Sequence, residues 1–227
     1  MSWLTMFLRS TVGSKAAMAV SGVILYGFTL VHMAGNLNVF LGQKAMAEYV
    51  QVLHLVPEVV WAVRAVLLAC LVVHIGAYSR LLAQTRAARP VAYKSWKARA
   101  STFASRSMLV TGPLLLIYIV VHLLHLTVGA LQPLKYQSGE HAHLMDAYAN
   151  LVNGLGGSWW WMGGFYLIVS VTLGVHLWHG GFAFTKTLGL SAGRQLQLAR
   201  LIATALAVTV AGGNVLIVTA LLTGLVK

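Results

Sequence analysis

The chain has 227 residues, of which 59% are hydrophobic and only 9% are charged, and its mean hydropathy is +0.79. Soluble domains carry about 25% charged residues, so this composition excludes an ordinary soluble protein and predicts an integral membrane protein. The formal net charge of +12 does not indicate nucleic-acid binding, because the cations are sorted between segments and are not gathered on one soluble surface.

Five apolar stretches are each long enough for a membrane-spanning helix, which needs about 20 residues. They predict an all-α bundle of five transmembrane helices that run alternately up and down, in a single domain covering 1–227. We expect the first span to be retained, because its apolar run is longer than that of a signal peptide. The predicted spans are 16–40, 58–82, 107–131, 158–184 and 200–226.

The segments between the spans differ in polarity. Residues 42–57 are too polar to cross a membrane and predict a short helix lying along the outer surface. Pro57 and Glu58 are suited to begin the second span, because proline is tolerated in the first helical turn and an acid is favoured there by the helix dipole. Trp159, Trp160 and Trp161 begin the fourth span, as in an aromatic belt at the membrane interface.

The charges predict the orientation of the bundle. Cytoplasmic segments of membrane proteins carry an excess of lysine and arginine, so a cytoplasmic N-terminus and an outer C-terminus fit the distribution. The basic loop from Arg80 to Arg106 has seven cations and no acid, which suits anionic lipid or a cytoplasmic partner protein. The inner cations are Arg9, Lys15, Arg80, Arg86, Arg89, Lys94, Lys97, Arg99, Arg106, Lys186, Arg194 and Arg200; the outer charges are Lys44, Lys135, Lys227, Glu48, Glu58, Glu140 and Asp146.

A Val-His dipeptide lies within each of the first four spans, at His32, His74, His122 and His176. Ionisable side chains inside a membrane are costly and usually face the bundle interior for a functional reason. Their depths follow from the rise of a helix, about 1.5 Å per residue, counted from the nearest inner cation. His32 and His122 lie about 25 and 24 Å from the inner edge, and His74 and His176 about 9 and 15 Å.

These depths predict one histidine pair near each face of the membrane. A pair of imidazoles suits haem b with both axial positions filled, and two such haems would carry electrons across the bilayer. Cys70 is the only cysteine, which excludes a cysteine-ligated cluster or a covalently attached c-type haem. Depth alone leaves His125 and His179 open as alternatives to His122 and His176, and hydrogen bonding between helices is the alternative for all four.

Three further charged residues are candidates for binding haem propionates or a quinone. Arg64 lies within the second span, where its partner is predicted to be an outer-haem propionate or a quinone oxygen; extension to the outer face and pairing with Glu58 are the alternatives. Lys186 lies at the inner edge and suits an inner-haem propionate or a lipid headgroup. Glu58 suits a helix start, and also accepting a proton from a quinol. His54, His141 and His143 are predicted to be surface histidines.

Four segments surround the paired histidines: GSKAAMAVSGVILYGFTLVHMAGN, WAVRAVLLACLVVHIGAY, IYIVVHLLH and VTLGVHLWHGGFAFTKTLG. Through them the sequence resembles the five-helix, di-haem cytochrome b anchor of bacterial succinate dehydrogenases and fumarate reductases, over about residues 9–226. The resemblance implies that His32 and His122 bind the outer haem and that His74 and His176 bind the inner haem, leaving His125 and His179 without a defined role.

The resemblance also implies the partners of the chain. They are a flavoprotein subunit and an iron-sulfur subunit on the cytoplasmic face of a bacterial inner membrane, a membrane quinone such as menaquinone, and a larger assembly of the complex. The chain has no dinucleotide fingerprint and no cysteine cluster, so succinate chemistry would belong to the partners. The alternative from another class is a transporter or proton channel that uses histidines and binds no haem.

Overall fold

The computed structural model describes residues 3–88, 91, 101–190 and 193–227. The described chain is all-helical, as the sequence predicts, and five of its helices are long and apolar enough to cross a membrane. Four cations of the basic loop, Arg89, Lys94, Lys97 and Arg99, lie outside the described residues. The α-helices are α1 (Trp3–Arg9), α2 (Thr11–Asn36), α3 (Gln43–Leu53), α4 (Pro57–Ala87), α5 (Phe103–Leu126), α6 (Ala147–Leu155), α7 (Trp160–Thr187) and α8 (Arg194–Leu222).

Local capping sets where several of the helices begin. The Ser10 hydroxyl accepts a hydrogen bond from the Gly13 N–H at 3.0 Å and so separates α1 from α2. Thr102 caps α5 in the same way, through the Ser105 N–H at 3.1 Å. Helix α4 begins at Pro57 with Glu58 in its first turn, as predicted. These side chains accept bonds from amides that a helix start leaves without an intrahelical partner.

Two predicted spans end earlier than their apolar composition indicates. The third was predicted to reach residue 131, but α5 ends at Leu126, because the Val128 and Ala130 amides turn back to the Leu123 and Leu124 carbonyls, each at 2.8 Å. Gly129 has a φ of +76°, which glycine adopts readily. The fifth was predicted over 200–226 and is observed as α8, which begins at Arg194 and ends at Leu222.

Two segments carry charges predicted on the outer side, 42–57 and the segment between the third and fourth spans. Together with the C-terminus, they close one end of the bundle. The predicted surface helix is α3, whose Gln43 donates to Asp146 at 2.6 Å, while Gln51 donates to Gln137 at 3.0 Å. Tyr148 in α6 donates to the Lys227 carbonyl at 2.6 Å. A buried cluster that includes Val39, Met46, Leu155, Met162 and Val218 fills the space beneath. The segments that carry Glu48, Glu140 and Asp146 therefore lie near one another.

The packing of the long helices is uneven, and this positions the site. Helix α2 packs against α4 and α7, and α7 packs against α5 and α8. Helix α2 does not pack closely along α5, nor α4 along α7, within the described residues. Helix α4 has no buried residue. The bundle therefore contains two helix pairs, α2 with α5 and α4 with α7, that face each other without continuous contact.

Candidate functional site

His32 and His122 face each other between α2 and α5. Their ring centroids are 6.0 Å apart, with the ring planes nearly perpendicular at 88°. The His32 ring stacks on Phe28, at 5.3 Å and 20°. Tyr118 lies 5.5 Å from the His122 ring. The histidines predicted near the outer face thus lie in an aromatic cluster that bridges two helices with little other contact.

His74 and His176 form a second pair, between α4 and α7. Their ring centroids are 6.4 Å apart. The His74 Nδ1 lies 3.0 Å from the Met18 carbonyl oxygen of α2, and the His176 Nδ1 lies 3.3 Å from the Thr111 hydroxyl of α5. Each ring is therefore held by a helix other than the two that supply the pair.

The contact with the Met18 carbonyl defines which nitrogen of the His74 ring is free to bind a metal. A carbonyl oxygen can only accept, so the His74 Nδ1 carries the proton and donates it to Met18. The lone pair of the neutral ring is then on Nε2. Histidines that bind metals commonly have this arrangement, in which the second nitrogen donates to a carbonyl, carboxylate or water and fixes the ring orientation.

The spacing of both pairs suits two imidazoles on opposite sides of one metal ion. An imidazole nitrogen bonds a metal at about 2 Å, so rings that face each other across the ion have centroids roughly 6 Å apart. Both observed separations, 6.0 and 6.4 Å, are close to this value. The helices of each pair do not pack closely against each other, as binding of a flat macrocycle between them would require. The residues present therefore fit haem.

Burial distinguishes His122 from its neighbour His125. His125 is completely buried, and its Nε2 has no exposed surface and no hydrogen-bond partner among the described residues. An iron cannot reach this atom without displacing the packing around it. His122 is only partly buried and His32 is exposed. The structure thus favours His122 over His125 as a ligand on steric grounds. His179 is partly buried, so burial does not decide between it and His176.

The three charged candidates lie at the ends or the exposed faces of helices. Arg64 is exposed, and its guanidinium lies over the Trp61 ring, 4.8 Å from the centroid. Glu58 is exposed in the first turn of α4. The Lys186 ammonium lies 4.8 Å from the Phe182 ring centroid. In the part of the chain that the structure describes, the one ion pair is Lys44 with Glu48. Roles of these residues toward a propionate or a quinone remain predictions.

The three histidines outside the spans lie at the end closed by α3 and α6. His54, His141 and His143 line a concavity there together with Glu48. The His141 and His143 ring centroids are 6.5 Å apart. Across residues 3–88, 91, 101–190 and 193–227, no group of three or more histidine, cysteine, aspartate or glutamate side chains could hold a metal ion. A haem differs, because it needs only two axial ligands from the protein.

Sequence reasoning missed the residues that orient the ligands. Thr111 and Tyr166 contact His176 and His122 respectively. Their depths could have identified them, because Thr111 lies 11 residues before His122 on α5, and Tyr166 lies 10 residues before His176 on α7. At about 1.5 Å per residue, each lies some 15 Å from the histidine on its own helix, at the depth of the opposite pair.

Comparisons of the chain with protein-family models, with curated proteins and with solved structures find no match.

Proposed function

We propose that the chain is the membrane anchor and electron-transfer subunit of a succinate:quinone oxidoreductase and binds two haems b. The observation that carries this proposal is the pair of facing imidazole couples, His32 with His122 and His74 with His176. Both couples have the separation that a shared metal requires. Both lie between helices that do not pack against each other. Hydrogen bonding between helices alone would not require either feature.

The two couples lie at different depths in the bundle. Thr111 contacts His176 and lies 11 residues before His122 on the same helix, which places the couples about 16 Å apart along α5. When bound, haem with two imidazole ligands supplies one-electron transfer and leaves no axial position for oxygen. The role of the protein is to hold the His74 ring in a fixed tautomer through the Met18 carbonyl and to surround the outer couple with aromatic side chains.

The ends of the helices support the choice of partners. The cations predicted on the inner side lie at one end of each long helix. They include Lys15 at the start of α2, Arg86 at the end of α4, Arg106 at the start of α5, Lys186 at the end of α7 and Arg194 at the start of α8. A cytoplasmic iron-sulfur subunit, itself joined to a flavoprotein, would dock on this basic surface and exchange electrons with the inner haem. A membrane quinone would exchange electrons with the outer haem. Arg64 and Glu58, both in the first third of α4, are our candidates for contacting the quinone or a propionate.

The amount of haem in the purified protein tests this function. We expect the pyridine haemochrome of protein purified from membranes in mild detergent to show type b haem at about two per chain, because each couple holds one iron. A low-spin spectrum without an oxygen-binding form should accompany it. A colourless protein would favour the alternative, a transporter or channel in which the histidines relay protons, and a single haem would exclude transfer between two haems.

Replacing Gly22 by valine tests the inner couple. A Cβ at Gly22 would lie 3.1 Å from the His74 Cε1 and 3.3 Å from its Nδ1, so a branched side chain would push the ring away from the Met18 carbonyl. We expect the Gly22→Val protein to lose most of the inner haem, measured as a fall from about two haems toward one. Gly27→Val on the same helix is the matched control, since a Cβ there meets no atom within 4 Å. Equal haem content in the two variants would contradict the placement of His74.

A further inference from the structure

A continuous chain of three polar side chains lies beside the outer couple. The His125 Nδ1 is 3.1 Å from the Tyr166 hydroxyl, and the same hydroxyl is 3.3 Å from the His122 Nδ1. His125 is 0% exposed and Tyr166 is 5% exposed. The His125 ring also stacks on Trp159, with centroids 5.8 Å apart and an interplanar angle of 29°.

Iron binding by His122 would fix the direction of every proton in this chain. With its Nε2 bound to iron, the neutral His122 ring carries its proton on Nδ1 and donates it to the Tyr166 oxygen. The hydroxyl has one proton of its own, and His125 is the acceptor left for it. The His125 Nδ1 must then be unprotonated, so its proton is on Nε2. Donation from His122 to Tyr166 and from Tyr166 to His125 is the order that gives the Tyr166 hydroxyl proton an acceptor.

We infer that Tyr166 and His125 are positioning residues that set the midpoint potential of the outer haem. The Tyr166 oxygen withdraws the Nδ1 proton of His122 and makes that ring a more basic ligand, which favours ferric iron. The bond that Tyr166 donates to His125 strengthens its oxygen as an acceptor, since hydrogen bonds in a chain polarise one another. The potential of the outer haem is therefore held lower than the His122 ligand alone would give. This inference rests on the proposed function.

The inner couple supplies an internal comparison. The His176 Nδ1 faces the Thr111 hydroxyl at 3.3 Å, and that hydroxyl also lies 3.8 Å from the Met108 sulfur. The Met108 sulfur is a thioether, which accepts a hydrogen bond from the Thr111 hydroxyl much more weakly than an imidazole nitrogen would. At the outer couple, the hydroxyl that contacts the ligand also contacts the buried His125 ring. At the inner couple, the corresponding hydroxyl contacts the Met108 sulfur instead. Variants of Tyr166 and Thr111 should therefore affect different haems.

Replacing Tyr166 by phenylalanine tests the inference, because it removes the hydroxyl and keeps the ring. We expect the Tyr166→Phe protein to retain two haems, with the midpoint potential of the outer haem shifted upward and that of the inner haem unchanged in an optical redox titration. The low-spin electron paramagnetic resonance signal of the outer haem should shift as well. Thr111→Val is the matched control, expected to shift the inner potential alone. The two potentials are assigned with single-haem variants of His122 and His176.

His125→Phe provides a second variant, which keeps the Tyr166 hydroxyl and a ring that can stack on Trp159. We expect a smaller upward shift of the outer potential than in Tyr166→Phe. Two haems with unchanged potentials in both variants would overturn the inference and leave the proposed function intact. If Tyr166→Phe loses the outer haem, an unchanged potential in His125→Phe overturns it. Failure of the proposed function would be seen separately, as wild-type protein without haem.

Discussion

Leucine in place of His122 is expected to reduce the protein from two haems b per chain to one, with loss of the outer haem alone. The change removes an imidazole that lies 6.0 Å from its partner ring and leaves the other couple, between α4 and α7, untouched. His32→Leu should give the same result. The measurements are the pyridine haemochrome and a redox titration, in which one of the two optical transitions disappears.

His125→Leu is the control for His122→Leu, because it lies three residues further along the same helix and is just as apolar a change. We expect this protein to keep both haems, since the His125 Nε2 is enclosed by protein. His176→Leu and His179→Leu form the corresponding test at the inner couple, where burial does not separate the two candidates. Loss of a haem from His125→Leu with retention in His122→Leu would exchange the roles of the two residues.

The pairing of the histidines was predicted by counting residues from the basic residue at the same end of each long helix. Helical rise then converts residue counts into distances. The couples predicted in this way are the ones whose rings face each other in the structure, at 6.0 and 6.4 Å. The number of long helices was readable for a similar reason, since apolar runs of spanning length are separated by charged or polar segments.

Local turns were less predictable. The apolar run of the third span continues past Leu126, so composition alone places its end too late; the structural signal is Gly129, whose positive φ allows the chain to turn. Helix α6 lies between the third and fourth predicted spans, where no helix is predicted from the sequence. Its nine residues are too few for a clear periodicity, although Asp146, which accepts a bond from the Ala149 N–H at 3.0 Å, is a recognisable cap.

The order of the helices around the bundle could not be predicted from hydrophobic pattern. Helices in a membrane are apolar on every side, so no polar face indicates which neighbour each one meets. Small residues carry that information instead. On α8, Ala203, Ala207 and Ala211 recur every fourth residue, which places them on one face, and two of them lie against Gly174 and Gly181 of α7. This pattern favours close approach of two helices and could have identified the α7–α8 contact.

Replacing Gly174 by leucine is accordingly expected to destabilise the bundle more than the same replacement of Gly180 on α7. A Cβ at Gly174 would lie 2.7 Å from the Ala211 Cβ, closer than van der Waals contact allows, so a leucine must force α7 and α8 apart. Overpacking of this kind costs about 1–3 kcal/mol. Thermal loss of the helical circular dichroism signal in detergent should therefore occur at a lower temperature than in the wild type.

Gly180→Leu is the control, because a Cβ there meets no atom within 4 Å. The expected change in its free energy of unfolding is below about 0.5 kcal/mol. Similar losses from the two substitutions would show that close α7–α8 packing does not stabilise the fold.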